Sequence, residues 1–127
     1  MHKVMLVEDD RTMASLLRVL LEIEGYQVVV WEGKHGNPSE AEILGDIQTE
    51  RPDLLLLDAH VFEIKGLNLL HQLRQDPQHK NIHILVASGL DLSRECNDEK
   101  ADDFILKPYM PDELIGLVHH ILSDRGS

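Results

Sequence analysis

Five residues in this 127-residue chain have the types and places that phosphoryl chemistry uses. Glu8 and Asp9 follow the apolar run Val4–Val7, and Asp58 closes the four leucines Leu54–Leu57. Ser88 follows Ile82–Ala87, and Lys107, just before Pro108, follows Phe104–Leu106. Carboxylates gathered within a few ångströms repel one another and raise each other's pKa unless a cation joins them. An oxygen ligand set without His or Cys suits Mg²⁺, which takes one or two carboxylates, keeps waters and shares substrate phosphate. Lys107 adds a positive point charge and Ser88 a hydroxyl donor, the means to stabilise charge on a transferring phosphoryl group. Asp58 is the carboxylate standing alone at the centre, and such carboxylates act as nucleophiles that become aspartyl phosphates.

These residues meet only if the elements before them lie side by side, and the chain reads as strands alternating with helices. After the first run, Met13, Leu16, Leu17, Leu20 and Leu21 recur at helical spacing, and Gly25 ends that helix. Val28–Trp31 is a β-branched second strand. Ser39 and Glu42 form a capping box for a helix that buries Ile43, Leu44 and Ile47, and Pro52 breaks it. Leu54–Leu57, apolar on both faces, marks a central parallel strand covered on each side. Gly66 precedes a helix carrying Leu67, Leu70 and Leu73, with Pro77 beyond its end. The stretch Asp91–Lys100 is polar and has only Leu92 and Cys96 to bury, so its helix is short or loosely held. Pro111, Asp112 and Glu113 open the last helix, whose buried stripe is Leu114, Leu117, Val118, Ile121 and Leu122. The alternation predicts a doubly wound, five-stranded parallel α/β sheet with helices on both faces. Ligands of such sheets bind outside the carboxyl ends of the strands, where all five singled-out residues fall.

Composition narrows the function further. The length fits one domain over 1–127, with the polar tail 123–127 as a natural end or the start of a linker. A formal charge of −11 argues against binding a phosphate backbone, so no direct nucleic-acid partner is expected. Neither a membrane span nor a signal peptide is expected. A single cysteine, Cys96, precludes an internal disulfide and fits a reducing cytoplasm; it reads as a small, partly buried hydrophobe. Asp10, ahead of a helix, serves equally as an N-cap or as one more acid of the site. His119 and His120 are adjacent on a helix and share no face, so they are not expected to bind metal. No Gly-rich phosphate loop follows the first strand, which sets a nucleotide hydrolase or flavin carrier behind a phosphoacceptor.

The segments VMLVEDD, PDLLLLD, VASG and ADDFILKPY, in this order and spacing, resemble the receiver domain of two-component response regulators over essentially the whole chain. The resemblance implies a flavodoxin-like (βα)5 fold with strand order 2-1-3-4-5. It implies Asp58 as the phosphoacceptor, taking phosphate from a sensor histidine kinase or phosphotransfer protein. It also implies Mg²⁺ held by Glu8, Asp9, Asp58 and the His60 backbone carbonyl. Ser88 and Phe104 become the switch pair, Lys107 the phosphoryl-binding lysine, and the bond before Pro108 a cis peptide. Such a domain promotes only its own phosphorylation and dephosphorylation, so no enzyme is expected. Its further partners are a downstream effector or output domain and a second copy of the chain.

Three departures stand out. Receivers usually carry Met-Pro where this chain has Val61 and Phe62. The 49 positions from Asp58 to Lys107 are about one helical turn fewer than usual, the loss falling in Asp91–Lys100. Glu32–Ser39 is longer than the usual loop. His60, two residues after Asp58, lies at the mouth of the site, where it tunes phosphoryl lifetime or is plain surface. A binding module with the same fold but no phospho-control is the alternative these departures raise.

Overall fold

The computed structural model describes residues 1–33 and 38–123. Their elements are β1 (Lys3–Val7), α1 (Arg11–Ile23), β2 (Gln27–Val30), α2 (Glu40–Glu50) and β3 (Leu54–Asp58). A small hairpin, β4 (His60–Val61) and β5 (Ile64–Lys65), leads into α3 (Gly66–Gln75). The chain continues through β6 (His83–Ser88), α4 (Ser93–Asp98), β7 (Asp103–Leu106) and α5 (Pro111–Ser123). One five-stranded sheet runs β2-β1-β3-β6-β7, all pairs parallel. Counting its strands alone, the order is 2-1-3-4-5, as expected.

Successive strand residues point to opposite faces, and the apolar runs are sorted accordingly. Val4, Leu6, Leu54 and Leu56 pack with Leu17 and Leu21 of α1 and Leu114 and Val118 of α5. Met5, Val7, Leu55 and Leu57 pack with Ile43 and Ile47 of α2 and Leu69 and Leu70 of α3. Two apolar layers on one sheet explain why four consecutive leucines are all buried.

The helix boundaries follow local chemistry. Asp10 is the N-cap of α1, its Oδ1 accepting from Met13 N at 3.1 Å. Ser39 caps α2, its Oγ accepting from Glu42 N at 3.1 Å. Gly25 turns the chain out of α1 with φ +97°.

Several expectations change. Of the α1 stripe, Leu17 and Leu21 are buried in line with Ala14, but Leu16 is 44% exposed beside Val19 and Ile23. One narrow face of α1 meets the sheet, and residues about 100° off that line turn outward. Leu44 and Leu117 are half-buried. Gly66 is the first residue of α3 rather than its predecessor. Helix α4 is one short piece of six residues, yet its Cys96 is fully buried, not partly. The centre of the Glu32–Ser39 loop (34–37) and the end of the tail (124–127) lie outside the described residues. No helix among the described residues is long and apolar enough to cross a membrane.

Candidate functional site

Sheet register assembles the site. Val7 of β1 lies opposite Leu57 of β3, so Glu8 and Asp58 emerge side by side. Asp58 pairs with Ala87 of β6, and Ser88 pairs with Leu106 of β7, one residue before Lys107. Four side chains separated by up to 99 positions thereby share one row at the carboxyl edge.

Lys107 Nζ donates to Asp58 Oδ2 at 2.8 Å and to Glu8 Oε1 at 3.1 Å. Three further oxygens are held by backbone N–H groups. Asp58 Oδ1 accepts from His60 N at 3.0 Å, Glu8 Oε2 from Asp10 N at 3.1 Å, and Asp9 Oδ2 from Phe62 N at 2.7 Å. Ser88 Oγ accepts from Leu90 N at 3.0 Å, and the Ser88 carbonyl accepts from Lys107 N at 2.8 Å. Glu8, Asp58 and Ser88 are buried, whereas Asp9 and His60 are exposed. The Lys107–Pro108 peptide is cis.

Gly66 secures the backbone behind the acid. A Cβ there would sit 2.5 Å from the Asp58 carbonyl oxygen and 2.9 Å from Ala59 Cα, so only glycine fits. Its N–H donates to the Ala59 carbonyl at 2.7 Å.

One carboxylate oxygen from each of Glu8, Asp9 and Asp58 falls within 4.8 Å of the others. Burial pushes the Glu8 carboxyl above its usual range; the Asp10 N–H pulls it down, and the Asp58 charge adds to the rise. Burial would favour neutral Lys107, but its hydrogen bonds and attraction to Asp58 and Glu8 prevail and raise its pKa. Three acids face one ammonium, and their hard oxygens can coordinate a divalent cation. Asp10, capping α1, is not among them.

The structure thus brings together Glu8, Asp9, Asp58 and Lys107, with Ser88 beside Lys107. Phe104 lies farther down, opposite Val86 and packed half-buried on the α2–α3–α4 side of the sheet. A cavity of about 210 Å³ is lined by Phe104, Cys96 and Ala101. A cleft of about 390 Å³ beside α3 and α4 is lined by none of the five site residues. His119 bonds Tyr26 and Glu24 rather than gathering metal ligands.

Two neighbours escape a reading of side chains alone. Tyr109 follows Lys107-Pro108, and burial raises its hydroxyl pKa; Lys107 opposes the rise, while Glu8 and Asp58 add to it. Phe62 contributes a backbone donor to Asp9, and its only trace in the sequence is that it is not proline.

A doubly wound sheet with strand order 2-1-3-4-5 and an acidic cluster beside a lysine at its carboxyl edge defines a flavodoxin-like domain equipped for a divalent cation. The response regulator receiver domain family matches residues 4–119, and the chain belongs to that family. It is 39% identical over 123 residues to the transcriptional regulatory protein CpxR of Escherichia coli, covering 96% of this chain and 50% of CpxR. The chain spans about half the length of the curated relatives it matches. Among solved structures, a response regulator from Chloroflexus aurantiacus superposes with TM-score 0.82 at 32% identity, covering 96% of this chain and 98% of that one. The receiver domain of the Francisella response regulator 1452 superposes with TM-score 0.83 at 28% identity, covering both chains fully.

Proposed function

We propose that Asp58 is the phosphoacceptor of this receiver domain, taking a phosphoryl group from phosphohistidine on a sensor histidine kinase or phosphotransfer protein. The observation that carries the reading is the buried Asp58 carboxylate, bonded to Lys107 at 2.8 Å inside the cluster of three acids. An Asp58 oxygen forms the new O–P bond as the P–N bond breaks, and that electron pair stays with the departing imidazole. Lys107, already bonded to Asp58, is placed to take a phosphoryl oxygen, and the Ser88 hydroxyl a second. Glu8, Asp9 and Asp58, with the His60 backbone carbonyl, are the proposed holders of Mg²⁺. Mg²⁺ held there would supply positive charge against the charge developing on the phosphoryl group.

The product stays on the chain as a signal, so the domain is a phosphoacceptor rather than an enzyme with turnover. Movement of Ser88 and Phe104 toward the phosphoryl group is the proposed switch, which must favour the active arrangement by a few kcal/mol to matter. A downstream effector or output domain receives the change, and a second copy of the chain is a further partner. We assign the whole of 1–127 to one receiver domain acting in the cytoplasm. The complete set of Asp58, Lys107 and Ser88 favours phospho-control over a binding module that has lost it. Incubation with Mg²⁺ and acetyl phosphate is expected to give one acid- and base-labile adduct at Asp58, read by mass spectrometry. Equal labelling of Asp58→Ala would overturn the assignment.

A further inference from the structure

Lys107 bonds Glu8 and Asp58, but Asp9 is held from a different quarter. The exposed Asp9 carboxylate is tied by the Phe62 N–H at 2.7 Å, and in that position its oxygen converges with those of Glu8 and Asp58. Phe62 opens the two-residue turn of the β4–β5 hairpin, between the paired and buried Val61 and Ile64. Its φ of +55° belongs to the left-handed side, which hairpin turns use and glycine usually fills. That backbone is uncommon for a bulky side chain, and here the ring has a neighbour to seat it. The ring stands edge-on to Trp31, centroids 5.8 Å apart at 74°. Trp31 is itself buried, its Nε1–H donating to Asp46 Oδ2 at 2.8 Å. A line of contacts therefore runs from α2 through Trp31 and the Phe62 ring to the N–H that points at Asp9.

We propose that Phe62 is a positioning residue: its N–H fixes Asp9 in the convergent geometry, and the seat of its ring on Trp31 keeps that N–H aimed. The proposal deepens the cation-binding reading and rests on it. Ligating carboxylates gain affinity from the hydrogen bonds that orient them, and removing such a partner weakens metal binding about 10–100-fold. Proline at this position lacks the N–H and cannot take a positive φ. Glycine keeps the N–H and the φ but loses the ring.

The test is a calorimetric Mg²⁺ titration of the wild type and of Phe62→Pro, Phe62→Gly and Phe62→Tyr, at a temperature where thermal melts show each variant folded. Phe62→Pro is expected to bind at least about tenfold more weakly. Phe62→Gly is expected to fall between it and the wild type, and Phe62→Tyr to match the wild type. Wild-type affinity in both Phe62→Pro and Phe62→Gly overturns the positioning role while leaving the cation site standing. If Phe62→Pro does not fold, equal affinities of Phe62→Gly and Phe62→Tyr overturn it in the same way. A wild-type chain that takes up no Mg²⁺ overturns the cation reading itself, and this proposal with it.

Discussion

At each end of the sheet a basic side chain is held against acid, with a different balance. At the carboxyl end, Lys107 serves two carboxylates while a third, Asp9, converges on them. At the amino end of β6, Arg74 donates to Asp102 at 3.1 Å and to the carbonyls of Lys80, Ile82 and Lys100 at 2.7 to 3.0 Å. Asp102 in turn accepts from Ile84 N at 2.7 Å and shares a hydrogen bond with His83. Burial lowers the Arg74 pKa and Asp102 raises it, the exchange expected of a mostly covered ion pair. The Arg74 network is complete in itself and ties α3, β6 and the segment after the short α4 together. The Lys107 cluster also has its hydrogen bonds made, but it sets three carboxylates around one ammonium. Satisfied charge marks structure, and surplus charge marks a site.

The largest effect is expected where the network is closed. Arg74→Ala leaves Asp102 and three carbonyls short of donors and is expected to cost about 3 kcal/mol in urea unfolding, with or without Mg²⁺. A smaller effect, and one that Mg²⁺ reduces, is expected at the other end. Lys107→Met exposes Glu8 and Asp58 to each other and is expected to cost about 1–2 kcal/mol without divalent ion. Mg²⁺ at a hundred times its dissociation constant contributes about 2.7 kcal/mol to any chain whose site still binds it. With its ammonium gone, the Lys107→Met site is more negative and is expected to bind Mg²⁺ more tightly than the wild type, so its deficit relative to wild type should shrink in millimolar Mg²⁺. An Arg74→Ala deficit that shrinks relative to wild type at equal Mg²⁺, or a Lys107→Met deficit that does not, would erase the distinction between the two ends.

The carboxyl end was the more legible in sequence, for a physical reason. Its residues are charged side chains directly after apolar runs, and the parallel register carries that linear pattern into space without a shift. Helix starts at Asp10 and Ser39 were legible because capping is local. Arg74 was not, since three of its four partners are backbone carbonyls and Asp102 lies 28 positions away. Phe62 acts through an N–H, which every residue but proline carries, so its sequence trace is a missing proline rather than a motif. Leu16 misled because periodicity gives the apolar line of a helix but not how much of it the sheet covers.

The subtlest contrast lies in pH. Glu8 has its folded pKa raised above the usual 4.5, chiefly by burial, so the folded chain binds its proton more tightly than the unfolded chain does. In that window the native state carries more protons, and stability falls as pH rises through it. The deficit persists at neutral pH. Lys107, also raised, contributes in the opposite sense: its stabilisation is present up to the usual 10.5 and is lost only above that. Above the usual 4.5 and well below 10.5, the Glu8 effect therefore stands apart from that of Lys107. Wild-type stability relative to Glu8→Gln, from urea unfolding in chelator, is expected to decline across this range. Mg²⁺ should flatten the decline, because a bound cation favours the ionised carboxylate. A difference that stays constant with pH, or a slope that Mg²⁺ leaves unchanged, would mean that Glu8 does not carry the surplus charge at this end of the sheet.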